Sequence, residues 1–315
     1  MRILKWTSLV IAALAAAACI GALLYQKERD VEGPVIQMDA DTVEISVTAP
    51  ESEMLAGITA ADAKDGDVTD SLVVETLSGL VADNERTASI AAFDSDDHVT
   101  KVTRKIRYTD YVKPEFRLSA PFSFAAGTKT SSVTAGLRAT DCLDGDISYR
   151  ISRSNAEGST LDLNVPGTYR MDFSVSNSAG DMEKFTATVE VYEREEDLPG
   201  ISLKEAMVYL SRGEEFSPEQ YLKSVSVDGQ QYLESDGRLI SAEALRKAQL
   251  EQALLAQTGE EYIPAYQDED IYGWEYITIR NPVDTAIPGW YEVSYSVTSM
   301  MGTERTACLL VRVRD

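Results

Sequence analysis

Gly57–Leu72 and Gly136–Ile151 carry one string, Gly-x-x-Ala-x-Asp-x-x-Asp-Gly-Asp, followed by a β-branched residue. Such self-similarity constrains the fold before any single residue does, because each copy marks one supersecondary unit. A second pair, Val165–Gly180 and Ile287–Gly302, reads Pro-Gly-x-Tyr, then alternating residues, then a small polar turn ending in Gly. Ordering the two strings predicts three units, at residues 33–112, 113–196 and 198–315.

The alternation has physical content. In the 167–176 stretch Tyr169, Met171, Phe173 and Val175 fall on one side, and Arg170, Asp172, Ser174 and Ser176 on the other. A strand of period two buries one face and wets the other. Tyr291, Val293, Tyr295 and Val297 repeat the pattern, and Leu309, Val311 and Val313 supply the strand that closes the third unit. Short alternating strands between turn residues predict an all-β chain of tandem sandwiches. The third unit departs from the others through an insertion at about 230–282. Within it, Ser241–Gly259 predicts a helix capped by Ser241, with Leu245, Ala248, Gln252 and Leu255 along one side and Leu254 widening the apolar face.

Together the two strings resemble the bacterial Ig-like surface modules of the DUF5011 and HYR-like group. The second unit matches throughout, at Gly136, Ala139, Asp141, Asp144-Gly145-Asp146, Pro166-Gly167-Thr168-Tyr169 and Asn177-Ser178-Ala179-Gly180. The first unit lacks the Pro-Gly-x-Tyr turn and has Glu85-Arg86-Thr87-Ala88 there. The third keeps Pro288-Gly289-Trp290-Tyr291 but shortens the acidic turn to Asp228-Gly229. The resemblance implies tandem Ig-like sandwiches in an extracellular setting and carries no catalytic residue.

Ahead of the repeats, Thr7–Tyr25 holds no charge, follows Arg2 and Lys5, and gives way to Gln26-Lys27-Glu28-Arg29-Asp30. Its length suits one bilayer crossing. A cleavable signal ending in Ala15–Ala18 and a lipoprotein signal at Ala16-Ala17-Ala18-Cys19 compete with an uncleaved anchor. The apolar run continues past Cys19 through Leu24, which favours the anchor. Residues 1–6 are then a cytoplasmic tip, residues 7–25 a single transmembrane helix, and the C-terminal region extracellular, since Arg2 and Lys5 stay inside.

The chain carries 52 acidic and 29 basic side chains, a net charge of −23. Such a balance argues against nucleic acid as partner. One histidine, His98, and three cysteines leave little material for a zinc site or a His-based triad. No cofactor and no catalytic group is expected. Asp62, Asp65, Asp67, Asp141, Asp144 and Asp146 admit two readings: oxygen ligands for calcium, or Asx turns in which an Asp oxygen caps neighbouring amides. Tyr266, Tyr272 and Trp274, beside Asp268, Glu269 and Asp270, form a candidate ligand surface for a cell-wall glycan or protein partner, or a solvated loop with aromatics packed beneath it. The predicted protein is therefore a non-catalytic, membrane-anchored extracellular module, a cell-surface spacer, adhesion or envelope element. The alternative is a carbohydrate- or wall-binding accessory that uses the insertion.

Overall fold

The computed structural model describes residues 11, 13–21, 32–80, 84–193, 198–256 and 263–315. Of the apolar run 7–25, residues 13–21 are helical, and the remainder, apart from residue 11, lies outside the described residues. No helix among the described residues is long and apolar enough to cross a membrane.

The rest of the described chain is mostly β-structure, in six sheets, two to a sandwich. Each sandwich is built round one long antiparallel hairpin. The first hairpin pairs Glu85–Phe93 with Val99–Tyr108, the second Gly167–Ser176 with Met182–Tyr192, and the third Gly289–Thr298 with Glu304–Val313. In all three, a short early strand lies parallel to the return strand of the hairpin: Thr42–Ile45, Ser123–Ala125 and Met207–Leu210 respectively. Alternation works as expected in the second hairpin, where Met171, Phe173, Val175, Phe185, Ala187, Val189 and Val191 are buried.

The repeated tyrosine has a structural role. Tyr169 donates its hydroxyl to the Val165 carbonyl at 2.8 Å, and Tyr291 does the same to Ile287 at 2.8 Å. Each bond ties the start of a long strand to the carbonyl just before Pro-Gly, the arrangement of a tyrosine corner.

The chain divides into two compact units. The first comprises residues up to Val112 together with Ser178–Asp181. The second comprises Lys113–Asn177 and Met182–Asp315. In the first unit Ile58, Ala60, Ala88, Ile90, Ile106 and Tyr108 form the core, and a buried arginine joins them. Arg104 faces inward from the return strand and donates to the carbonyls of Met54, at 3.1 Å, and Ala56. Buried guanidinium is tolerated where backbone acceptors meet it.

The second unit contains the second and third sandwiches together. Met207 and Leu310 of the third lie in the same apolar cluster as Phe116, Phe173 and Phe185 of the second. The third sandwich also carries the insertion. Its strands Gln230–Ser235 and Arg238–Ser241 form a hairpin extended by Ile271–Tyr272, and the helix Ala242–Leu255 packs on that hairpin. Ser241 caps the helix, its Oγ accepting from the Ala244 amide at 3.2 Å. Ala248 is buried as expected, but Leu254 is 66% exposed and Leu250 64%. The apolar face is narrower than the sequence suggests because only one side of the helix meets the sheet. The expected stop at Gly259 lies outside the described residues.

Candidate functional site

The six aspartates of the repeated string sit in two turns of matching geometry. Gly66 and Gly145 take φ of 79° and 71°, a conformation that glycine adopts without steric cost. Asp62 Oδ1 accepts from the amides of Lys64 and Asp65 at 2.8 and 2.9 Å, and Asp141 Oδ1 from those of Leu143 and Asp144 at 2.8 and 3.1 Å. Asp67 and Asp146 each accept the amide two residues on, from Thr69 at 3.0 Å and Ser148 at 2.9 Å. These bonds, the side-chain bond from Thr69 or Ser148 first among them, hold both carboxyls below the usual carboxylate range. Asp65 reaches across to the amide and hydroxyl of Ser95, both at 2.8 Å, and Asp144 pairs with Arg150 at 2.7 Å. Among the described residues no group of three or more His, Cys, Asp or Glu side chains is placed to hold a metal ion.

The repeat extends two residues beyond the acidic string. Thr69 Oγ1 accepts from the Ala60 amide at 3.1 Å and donates to its carbonyl at 3.3 Å, and Ser148 Oγ treats Ala139 likewise at 3.0 and 3.4 Å. A hydroxyl two places after Asp-Gly-Asp was the available signal. Neither hydroxyl stands out in the sequence, because Thr and Ser are common beside turns.

A further difference separates the two turns. Asp141 Oδ2 accepts from Asn177 Nδ2 at 3.1 Å. The equivalent register position in the first sandwich is Asp94, since Phe93 pairs with Val99 as Ser176 pairs with Met182. A carboxylate cannot donate that bond, and Asp62 Oδ2 is buried without a hydrogen-bond partner. Asp94 instead accepts from His98 Nδ1 at 2.7 Å and from the amides of Asp96 and His98 at 2.9 and 2.8 Å.

The aromatics of the insertion are engaged with their own sandwich. Trp274 donates its indole N–H to the Gly237 carbonyl at 2.9 Å and packs, with Tyr272, on the core of the third sandwich. The Tyr272 ring lies 4.9 Å from that of Tyr232, and its burial pushes the phenol up. Tyr266 is covered by the Arg238 guanidinium at 5.4 Å. The acids beside them build a turn: Asp270 Oδ2 accepts from the Gln267 amide at 3.0 Å. Tyr276, 63% exposed, is the aromatic of this group that meets solvent most fully.

The most developed constellation of polar side chains lies where the second and third sandwiches meet. Each sandwich leaves part of an edge strand without a neighbour. The parallel partner of Met182–Tyr192 covers only Glu190–Tyr192, and that of Glu304–Val313 only Leu310–Val313. Bare edges are a liability that proteins cover. Here each is closed by a carboxylate from the opposite sandwich. Glu292 accepts from the amide of Thr188 at 2.7 Å and from its hydroxyl at 2.5 Å. Glu190 accepts from the amide of Thr306 at 3.2 Å, from Arg305 Nε at 3.1 Å and Nη2 at 3.2 Å, and from Ser123 Oγ at 2.5 Å. On the other sheet, the Tyr209 hydroxyl meets the edge strand Glu115–Leu118 at Phe116.

Trp290 forms the centre of this seam. Its ring lies 5.0 Å from Phe185 and 5.8 Å from Tyr209, and its indole N–H donates to Glu183 at 2.6 Å. Arg312 pairs with the same Glu183 oxygen at 3.0 Å. Beside the seam opens a polar cleft of about 390 Å³, lined by Arg170, Thr188, Glu190, Arg280, Glu292 and Cys308, among others. A second depression of about 460 Å³ shares Arg170 and Glu292 with it. Burial, with Glu292 alongside, pushes the Cys308 thiol far up. Among the described residues none of Cys19, Cys142 and Cys308 forms a disulfide.

No family model matches the chain, and no curated protein matches it. Solved structures with partial likeness include Drosophila N-cadherin EC1-4, at 12% identity over 91% of this chain and 76% of that one, with a TM-score of 0.22. The CBM51-2 and INT domains of Clostridium perfringens ZmpB, solved in complex with GlcNAc, match at 14% identity over 50% of this chain, with a TM-score of 0.20. This chain spans 41% of that ZmpB chain. Domains 6-7 of the surface layer protein SbsC match at 14% identity over 51% of this chain and 99% of theirs, with a TM-score of 0.19. The architecture stands on the strand pairing described above.

Proposed function

We propose that the chain is a non-catalytic, membrane-anchored extracellular protein of the DUF5011 and HYR-like Ig-like type, serving as a spacer, adhesion or envelope-interaction module. The observation that carries this reading is the seam between the second and third sandwiches. Two sandwiches that share Trp290, Leu310 and Phe185 in one apolar cluster do not hinge about their linker. They present a surface of fixed geometry, which suits a recognition element held away from its anchor.

Three further features agree. The repeated aspartates are engaged with backbone amides, the chemistry of turns rather than of proton transfer. The acidic surface suits domains bathed in medium, where net charge favours solubility. The uncharged run 7–25 behind Arg2 and Lys5 supports an anchor with the region after it outside. Protease treatment of intact cells tests the reading. Digestion of the region after residue 25 without permeabilisation is expected; protection until the membrane is opened overturns it.

A further inference from the structure

The charged groups at the seam cleft differ in how far they are already engaged. Glu190 and Glu292 are already committed, to Thr306, Arg305 and Ser123 on one side and to Thr188 on the other. Arg170 and Arg280 also line the cleft, are exposed, and hold no ion pair among the described residues. The hydroxyl side chains of Thr168 and Ser294 line the same cleft. Glu304, on the return strand of the third hairpin, is the exposed acid of the lining.

We propose that this cleft binds an anionic glycan, its acid groups held by Arg170 and Arg280 and its hydroxyls by the Thr and Ser side chains of the lining. Guanidinium forks match carboxylate and phosphate oxygens in a paired geometry. The volume of about 390 Å³ falls within the usual span of small-ligand sites, about 300–1,000 Å³. The neighbouring depression continues past Arg170 to Trp290 and Tyr291, so a chain of sugars can run on from the first site. Both walls belong to the single compact unit, so the site is held open without a ligand. On a chain of net charge −23 a pair of unpaired arginines facing one cleft also selects among glycans: neutral polymers gain nothing from it. The inference deepens the surface-module reading by naming a ligand class.

The test uses the purified full-length protein in detergent micelles, titrated with polygalacturonate, poly(glycerol phosphate) and neutral dextran. One or both polyanions bind, dextran does not, and added salt weakens the binding. The stronger polyanion tells carboxylate from phosphate preference. Arg170→Ala/Arg280→Ala weakens binding by about tenfold or more while leaving Tm unchanged, since both side chains are exposed. Glu304→Ala strengthens it. Absence of binding by both polyanions, or equal binding by the double variant, overturns the proposal. Binding is read on purified protein, so a failed protease-shaving result would sink the surface reading and leave this one standing.

Discussion

The hydroxyl of Tyr209 donates to the carbonyl of Phe116 at 3.0 Å and accepts from its amide at 2.8 Å. One side chain of the third sandwich thus satisfies both backbone groups of an edge residue in the second. Burial pushes the Tyr209 phenol up to about 12, so the hydroxyl keeps its proton across the physiological range. Glu292 and Glu190 do similar work on Thr188 and Thr306. The seam is therefore a set of edge caps surrounding an aromatic centre.

Removing a cap exposes what it covers. Glu292→Ala leaves the Thr188 amide and hydroxyl without their acceptor, and is expected to cost about 1–3 kcal/mol. Denaturant melts of the full-length protein measure it. A variant as stable as wild type would mean that solvent serves Thr188 equally well.

The second and third sandwiches are expected to unfold in one transition. Trp290→Ala empties the centre of the seam and should cost about 3 kcal/mol or more, separating that transition into two. Calorimetry reads this directly, and two transitions already present in the wild type would contradict a shared core.

Asp94→Asn gives the first sandwich the donor that the second has in Asn177. Asp94 Oδ1 takes the Asp96 and His98 amides and Oδ2 the His98 ring, so the new amide serves the unpartnered Asp62 oxygen only by giving up the His98 bond. A higher Tm is expected; a lower one would show that the His98 pairing matters more.

Acid should loosen both repeated turns. The Asp67 and Asp146 carboxyls lie below their ordinary value of 3.8 because Thr69 and Ser148 donate to them. A depressed folded-state pKa gives stability that is present above the unfolded value and lost as pH falls through the folded one. Tm is therefore flat above about pH 5 on account of these two groups and falls below 3.8. Asp67→Asn/Asp146→Asn flattens that part of the profile, which a Tm series against pH reads.

Chelation is expected to leave Tm unchanged. The aspartates of both turns are engaged with amides or arginine, and a cation bound only to the folded state would raise stability. A drop in Tm on adding EGTA would give these turns back to calcium.

The strands were legible because their inward residues alternate, and the helix because Ser241 precedes a run of strong helix formers. The seam was not. Glu292, Thr188 and Glu190 lie on faces that alternation assigns to water, and polar side chains there look solvated. The readable signal was a breach of alternation. Leu309-Leu310-Val311 and Met207-Val208 place apolar residues on both sides of their strands, which happens where both faces are covered. That an acid, Asp94, stands at the register position of Asn177 was equally hidden, since it emerges only when the registers of two hairpins are compared. The insertion aromatics drew attention by composition alone, and composition does not say which way a ring is turned.

The parallel strand in each sandwich has a mechanical consequence. Where the first strand of a pair runs alongside the last in the same direction, the chain enters at one end and leaves at the other. A pull on both ends then strains every hydrogen bond of the pair together, in shear, rather than peeling them apart in turn. Thr42–Ile45 against the 99–108 strand and Ser123–Ala125 against the 182–192 strand are both loaded in this way. Stretching either sandwich by its ends therefore meets resistance in shear, with every bond of the pair sharing the load.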